Sequence, residues 1–197
     1  MTEHYYSEEQ KSSGDTKKIS QRINGQHFEF YTSKGVFSKE HVDKGTLALA
    51  ESMVILPDSK VLDMGCGIGI LGIAAAKLFD ASVFMSDINK RAVTLAKKNL
   101  GLNKVKGTIL QGNLFEKVTD DDFDVILSNP PQHAGKEICF KLIEESVKYL
   151  KKNGSFQLVA RHNKGGKTLS MKMEEVYGNS EIIAKRHGFT VYRSIKL

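Results

Sequence analysis

The 197-residue sequence predicts an α/β fold of the Rossmann-like, doubly wound kind. Its mostly parallel seven-stranded sheet would carry a C-terminal antiparallel strand, with an N-terminal β-hairpin as an extension. Three observations predict it. From Lys60 onward, short apolar runs alternate with segments of helical periodicity, the pattern of a parallel sheet covered on both faces. Val61-Leu62-Asp63-Met64 runs directly into Gly65-Cys66-Gly67-Ile68-Gly69, a strand entering a glycine loop that opens a helix. A later apolar run, Val125-Ile126-Leu127, ends in Ser128-Asn129-Pro130-Pro131. Ligands of such sheets bind beyond the carboxyl ends of the strands, where both motifs fall.

Residues 1–16 are polar and read as a loosely docked arm. Asn24-Gly25 between two strand-like runs (18–23 and 26–31) is a hairpin signal, because both residues tolerate the positive φ of a type I′ turn. A helix is expected from Thr46 to Ile55, stopped by Pro57. Strands at 60–63, 82–87, 106–111, 124–128 and 154–160 then alternate with helices at 69–79, 90–99 and 136–150. In the helix at 90–99, Ala92, Val93, Leu95, Ala96 and Leu100 share one side and leave Lys97 and Lys98 to water. A helix at 168–177 and strands at 180–184 and 189–195 around His187-Gly188 complete the chain. The division read from this is residues 1–45 as tail and hairpin extension and 46–197 as one compact catalytic unit.

With 40% hydrophobic residues the chain is long enough for one well-buried core. No apolar run has transmembrane length and no signal peptide is visible, so membrane functions are excluded and a cytoplasmic location is expected. Cys66 and Cys139 stand in unrelated contexts, without metal-ligand spacing, which reads as two reduced thiols and no metal. The net charge is +6, and residues 151–197 carry ten Lys and Arg against three acids, a net of +7. An excess gathered at one end suits a polyanion such as RNA.

The glycines satisfy two cofactor patterns. Gly67-x-Gly69-x-x-Gly72 with Asp87 twenty residues past Gly67 also fits dinucleotide binding. Asp63 separates the two, because an anion at the strand end repels a pyrophosphate yet favours a cation. S-adenosylmethionine brings an ammonium and a sulfonium, so Asp63, Gly65, Cys66, Gly67 and Gly69 point to that cofactor. Asp87, followed by Ile88, closes the second strand of the nucleotide-type unit, where a carboxylate accepts hydrogen bonds from ribose hydroxyls; an N-cap for the next helix is the alternative, and the position favours the ribose.

Asn129-Pro130-Pro131 suits an exocyclic amine, whose lone pair is delocalised into its ring. The Asn129 side-chain oxygen and the Pro130 carbonyl would each hold one N–H, drawing the nitrogen toward tetrahedral geometry. Both prolines have φ locked, which fixes the acceptors' directions. His133 is read as a loop histidine rather than a base. The basic, glycine-containing run from Arg161 through Lys164 to Lys167 is read as a phosphate-contacting loop.

These motifs together resemble the class I S-adenosylmethionine-dependent methyltransferases that act on planar amino groups. Gly35-Val36-Phe37-Ser38 and Asp43-x-Gly45-Thr46 narrow the resemblance to the small-domain methyltransferases, over residues 27–177. That group includes the bacterial ribosomal-RNA guanine-N2 enzymes and compact single-domain archaeal relatives, and this chain is similar to the compact form. The resemblance implies that Gly65, Gly67 and Gly69 line the methionine end of the cofactor. It also implies Asp87 on the ribose, Asn113-Leu114 on the adenine, and Asn129 with Pro130 on the target amine. Asn113 stands where the family usually has Asp, and Gln132 where it has an aromatic that stacks on the base. Stacking would pass to Phe37 or His133. The expected activity is methylation of a guanine N2 amine in structured, ribosomal RNA. A protein glutamine amide as acceptor, or a non-catalytic RNA-binding protein keeping the fold, are the competing readings.

Overall fold

The structure is a computed structural model that describes residues 16–33, 41–130 and 135–197. Phe37, Pro131, Gln132, His133 and residues 1–15 of the arm read at 1–16 lie outside those described residues; Thr16 instead opens the first strand.

Strands β1 (Thr16–Ile23) and β2 (Gln26–Ser33) form an antiparallel hairpin in which Thr16 faces Ser33 and Ile23 faces Gln26. Asn24 and Gly25 have φ of 47° and 82°, the two positive values that a type I′ turn requires. Helix α1 spans Lys44–Ser52 and begins two residues before the expected start, because the Asp43 carboxylate accepts the Thr46 N–H as an N-cap. It also ends well before Pro57. Met53 turns extended, and both backbone groups of Val54 pair with the Gln157 side chain at 2.9 and 2.7 Å.

The main sheet contains β3 (Lys60–Met64), β4 (Ser82–Asp87), β5 (Thr108–Gln111), β6 (Phe123–Ser128), β7 (Leu150–Ala160), β8 (Glu181–Arg186) and β9 (Phe189–Ile195). Their spatial order is β5-β4-β3-β6-β7-β9-β8. Every pairing from β5 to β7 is parallel, and β9 runs antiparallel to both its neighbours. The doubly wound sheet with a C-terminal antiparallel strand is therefore present as expected. β7 begins at Leu150 rather than at 154, and β5 is shorter than expected at its start.

Helices α2 (Ile70–Phe79), α3 (Lys90–Leu102), α4 (Lys136–Tyr149) and α5 (Lys167–Tyr177) cover the two faces. Alternate strand residues go to opposite cores, as the pleat demands. Val61, Val125 and Leu127 join α1, α2, α3 and the hairpin's Ile19, Ile23, Phe28 and Phe30. Leu62, Ile126 and Phe156 join α4 and α5. No helix among the described residues is long and apolar enough to cross a membrane.

The hairpin is tied to α3 by two amides one helical turn apart, Asn99 within the helix and Asn103 at its C-cap. Asn99 accepts the Tyr31 N–H at 2.6 Å and donates to the Tyr31 carbonyl at 3.1 Å, and Asn103 does the same with Glu29 at 3.2 and 2.7 Å. Positions i and i+4 of a helix thus match i and i+2 of a strand, since both spacings are about 6–7 Å. Asn99 also donates to the Ile68 carbonyl in the glycine loop at 2.9 Å.

Candidate active site

The strand ends β3, β4, β5 and β6 open on a cavity of about 600 Å3. Its floor is the glycine loop. Gly65, Gly67 and Gly69 have φ of 71°, 55° and 88°, values that side chains disfavour. The loop is hung from β4, with the Gly65 and Cys66 N–H groups donating to the Ser86 carbonyl at 2.8 and 3.0 Å. A Cβ on Gly72 would lie 2.6 Å from the Met85 sulfur, so any side chain there would have to displace Met85 for α2 to pack this closely on β4.

Asp63 is 1% exposed. One carboxylate oxygen accepts the Gly72 N–H at 2.9 Å; the other is buried and has no partner among the described residues. Burial raises its pKa to about 7, the Gly72 hydrogen bond opposes that, and the charge of Asp87 adds to it. Asp63 lines the cavity with one oxygen that has no donor among the described residues. The ammonium of S-adenosylmethionine can supply a donor and its sulfonium a favourable charge, whereas a pyrophosphate supplies neither. Burial also pushes the Cys66 thiol up, so it lines the cavity as a neutral, small group.

Asp87 does not cap α3. Asn89 does, accepting from the Arg91 and Ala92 N–H groups. Asp87 instead braces the loop, one oxygen accepting from Gly67 N at 2.8 Å and the other from Asn89 N at 2.8 Å. Ile88, Asn113 and Leu114 line the same cavity beside it. Leu114 holds φ of 47°, a left-handed conformation unfavourable for a branched side chain, at the tip that follows β5.

Across the cavity, Ser128 donates to the Met64 carbonyl at 2.8 Å and joins the ends of β6 and β3. Asn129 and Pro130 follow and line the cavity. The Asn129 amide nitrogen donates to the Asp43 carboxylate and to the Thr46 hydroxyl, both at 2.9 Å. Beyond β7 a tight turn at His162–Gly166 is closed by Lys164 N and Gly166 N on the Arg161 carbonyl, each at 3.0 Å. Arg161 and Lys164 line the cavity, with the Arg161 guanidinium 4.9 Å from the Phe189 ring centre. Among the described residues neither cation is in an ion pair.

The structure thus brings Asp63, Gly65, Cys66, Gly67, Asp87, Ile88, Asn113, Leu114, Asn129, Pro130, Arg161 and Lys164 around one cavity. Gly69 stands behind it as the N-cap of α2, and Lys167 begins α5 outside the lining. Sequence reasoning missed Asp43, Thr46 and Phe189 as lining residues, and also Ile138, Cys139 and Leu142 on α4. The Asp-x-Gly-Thr spacing at 43–46 was the available signal for the first two. No periodicity announces the others.

A parallel sheet with a glycine loop, an acid closing its second strand and a buried carboxylate on the cavity wall defines a class I S-adenosylmethionine-dependent methyltransferase. The methyltransferase small-domain family model matches residues 27–193, and the chain belongs to that family. It is 34% identical over its full length to the uncharacterized protein YbxB of Bacillus subtilis (strain 168), itself covered completely. It is 35% identical over 167 residues to the ribosomal RNA small subunit methyltransferase C of Pseudomonas entomophila (strain L48), covering 82% of this chain and 49% of that one. The chain therefore spans about half the length of the ribosomal RNA methyltransferases it matches. Among solved structures, the Thermus thermophilus 16S rRNA N2 G1207 methyltransferase (RsmC), in complex with AdoMet and guanosine, superposes with a TM-score of 0.82 at 26% identity. That alignment covers 92% of this chain and 51% of that one.

Proposed function

We propose that this methyltransferase acts on the exocyclic N2 amine of guanine in structured RNA, of ribosomal origin. The observation that carries the proposal is the placing of Asn129 and Pro130 on the cavity wall, beside two cations without acidic partners among the described residues, Arg161 and Lys164. Asp63, Gly65, Cys66 and Gly67 would hold the amino-acid end of the cofactor, Asp87 with Ile88 its ribose, and Asn113 with Leu114 its base. S-adenosylmethionine supplies an electrophilic methyl whose leaving group is a neutral thioether. The Asn129 oxygen and the Pro130 carbonyl would each accept one N–H of the target amine. The nitrogen lone pair, turned out of conjugation, forms the new C–N bond, and one N–H proton passes to water. Positioning and polarisation carry the rate, without a strong base.

Arg161, over Phe189, offers a planar cation at the cavity rim on which a base can stack. Lys164 would neutralise a phosphate of the same RNA. The printed names of the relatives, ribosomal RNA methyltransferases among them, support this reading. Phe37, Gln132 and His133 remain candidates for contact with the base.

Mass spectrometry of digested ribosomal RNA from cells with and without the gene tests the substrate: N2-methylguanosine should be lost with the gene. A methylated peptide glutamine lost in its place would transfer the same clamp to a protein substrate. Asn129→Ala should lower turnover about a hundredfold or more while S-adenosylhomocysteine affinity stays within a few-fold. Equal loss of both would make Asn129 a cofactor residue alone.

A further inference from the structure

We propose that Asp43, acting with Thr46, sets which end of the Asn129 carboxamide faces the target nitrogen. Asp43 is then a positioning residue, and this inference rests on the clamp reading of Asn129. A carboxamide has nearly the same shape after a half-turn about its last torsion, so packing alone does not distinguish oxygen from nitrogen. The hydrogen-bond partners behind it do.

The two hydrogens on the Asn129 amide nitrogen are both spent on this side, one on the Asp43 carboxylate and one on the Thr46 hydroxyl, at 2.9 Å each. After a half-turn, the amide oxygen would stand at that distance from a carboxylate oxygen, with lone pairs facing and that bond lost; the Thr46 hydroxyl can turn to donate in either case, so the carboxylate decides the sense. The Asp43 charge therefore holds the nitrogen toward itself and leaves the oxygen for the cavity, which Asn129 lines. The same field draws amide electron density onto that oxygen and strengthens it as an acceptor.

Asp43 is itself held. The carboxylate oxygen that receives Asn129 also accepts the Thr46 N–H at 2.9 Å as the cap of α1, and the Thr46 hydroxyl lies 3.4 Å from it. Thr46 can thus donate to Asp43 while accepting from Asn129, so all the protons point one way. The turn between them is pressed against the rim: a Cβ on Gly45 would come within 2.9 Å of the Phe189 ring and 3.0 Å of the Asp43 carboxylate. Specificity follows. With both its donors occupied, the clamp presents acceptors only, so it grips a group that carries N–H and repels a ring carbonyl.

The test uses the full chain. In the wild type, the two Asn129 side-chain protons, assigned by their loss in Asn129→Ala, should give well-separated NMR signals in slow exchange with water. Asp43→Ser keeps a side-chain cap on α1 but is too short to reach Asn129. Thr46→Val leaves the Asp43 cap intact, which guards against a folding failure of the first variant. Both should move the two signals toward the shifts and smaller separation of a free carboxamide and speed their exchange with water. Turnover on ribosomal RNA from cells lacking the gene should fall by about ten- to a hundredfold, with S-adenosylhomocysteine affinity unchanged within about threefold. Asp43→Asn, which keeps the length and loses the charge, should recover part of the turnover. Unchanged Asn129 signals in Asp43→Ser and Thr46→Val would overturn the lock. Loosened signals with full turnover would overturn its positioning role. A wild-type protein with the locked signals but no transfer to any RNA would count against the proposed substrate and leave the lock standing.

Discussion

Asp63 carries the sharpest consequence at the scale of a single residue. Its folded-state pKa of about 7 stands above the ordinary value of 3.8, so the folded protein holds this proton more tightly than the unfolded chain does. Stability from this group is therefore full below about pH 4 and is lost as pH rises through 7, a loss of roughly 4 kcal/mol. Asp63→Asn should raise the melting temperature of the cofactor-free protein relative to wild type, and the gain should be larger at pH 8 than at pH 5.5. The same variant should lose the thermal shift that S-adenosylhomocysteine produces. In the wild type, that ligand's affinity should climb between pH 5.5 and 7.5, because the site sheds a proton to receive an ammonium. A wild-type melting temperature that does not decline across this interval would remove Asp63 as the titrating group. The sequence revealed the sign of this site, since a carboxylate before a glycine loop repels phosphate. It did not reveal that one oxygen would have no partner among the described residues, which depends on how α2 packs over the strand end.

At the scale of elements, legibility followed chemistry that is local. Asn24-Gly25 announced its hairpin because two adjacent residues determine a type I′ turn. The strand–loop–helix unit at 60–79 announced itself because its apolar run and its glycines are contiguous. Contacts between distant segments stayed hidden. Asn99 falls on the buried side of α3 with Ala92, Leu95 and Ala96, where an amide is out of place by pattern alone, and its partners are 68 and 31 residues away. Its side chain closes three hydrogen bonds to backbone groups, with the Tyr31 N–H, the Tyr31 carbonyl and the Ile68 carbonyl. Asn99→Ala should destabilise the protein by about 2–4 kcal/mol, measured by urea denaturation, since each buried backbone group left unpaired costs about 1–3 kcal/mol. A loss under 0.5 kcal/mol would mean that the hairpin repairs itself against α3 by other bonds. Helix α1 was misplaced at its start for a related reason. Asp43 is a good N-cap by residue type, but its carboxylate is shared with an asparagine 86 residues away.

For the whole molecule, the relevant question is where its positive charge can act. Composition put the excess in residues 151–197 without saying which cations share a surface with the chemistry. Folding answers in part: Arg161 and Lys164 reach the cavity, while Lys167 starts a helix beside it. Lys164→Gln should weaken RNA binding and reduce the slope of log K against log salt by roughly 0.7–0.9, the release expected for one phosphate contact. Lys167→Gln should change it less, and the reverse order would move the RNA path off the cavity rim. The doubly wound sheet was readable from alternation alone, because each strand of a two-sided sheet must be apolar at most positions. The docking of the hairpin was not, because its amide ladder uses polar residues in a role that apolar patterning ignores.

That ladder has a dynamic corollary. Asn99 grips Tyr31 in the hairpin and Ile68 in the glycine loop with one side chain, so the two segments share a hinge pin. Stiffening the loop by filling the cavity should slow deuterium uptake at the Tyr31 amide, a remote gauge of occupancy read on a strand that contributes no lining residue.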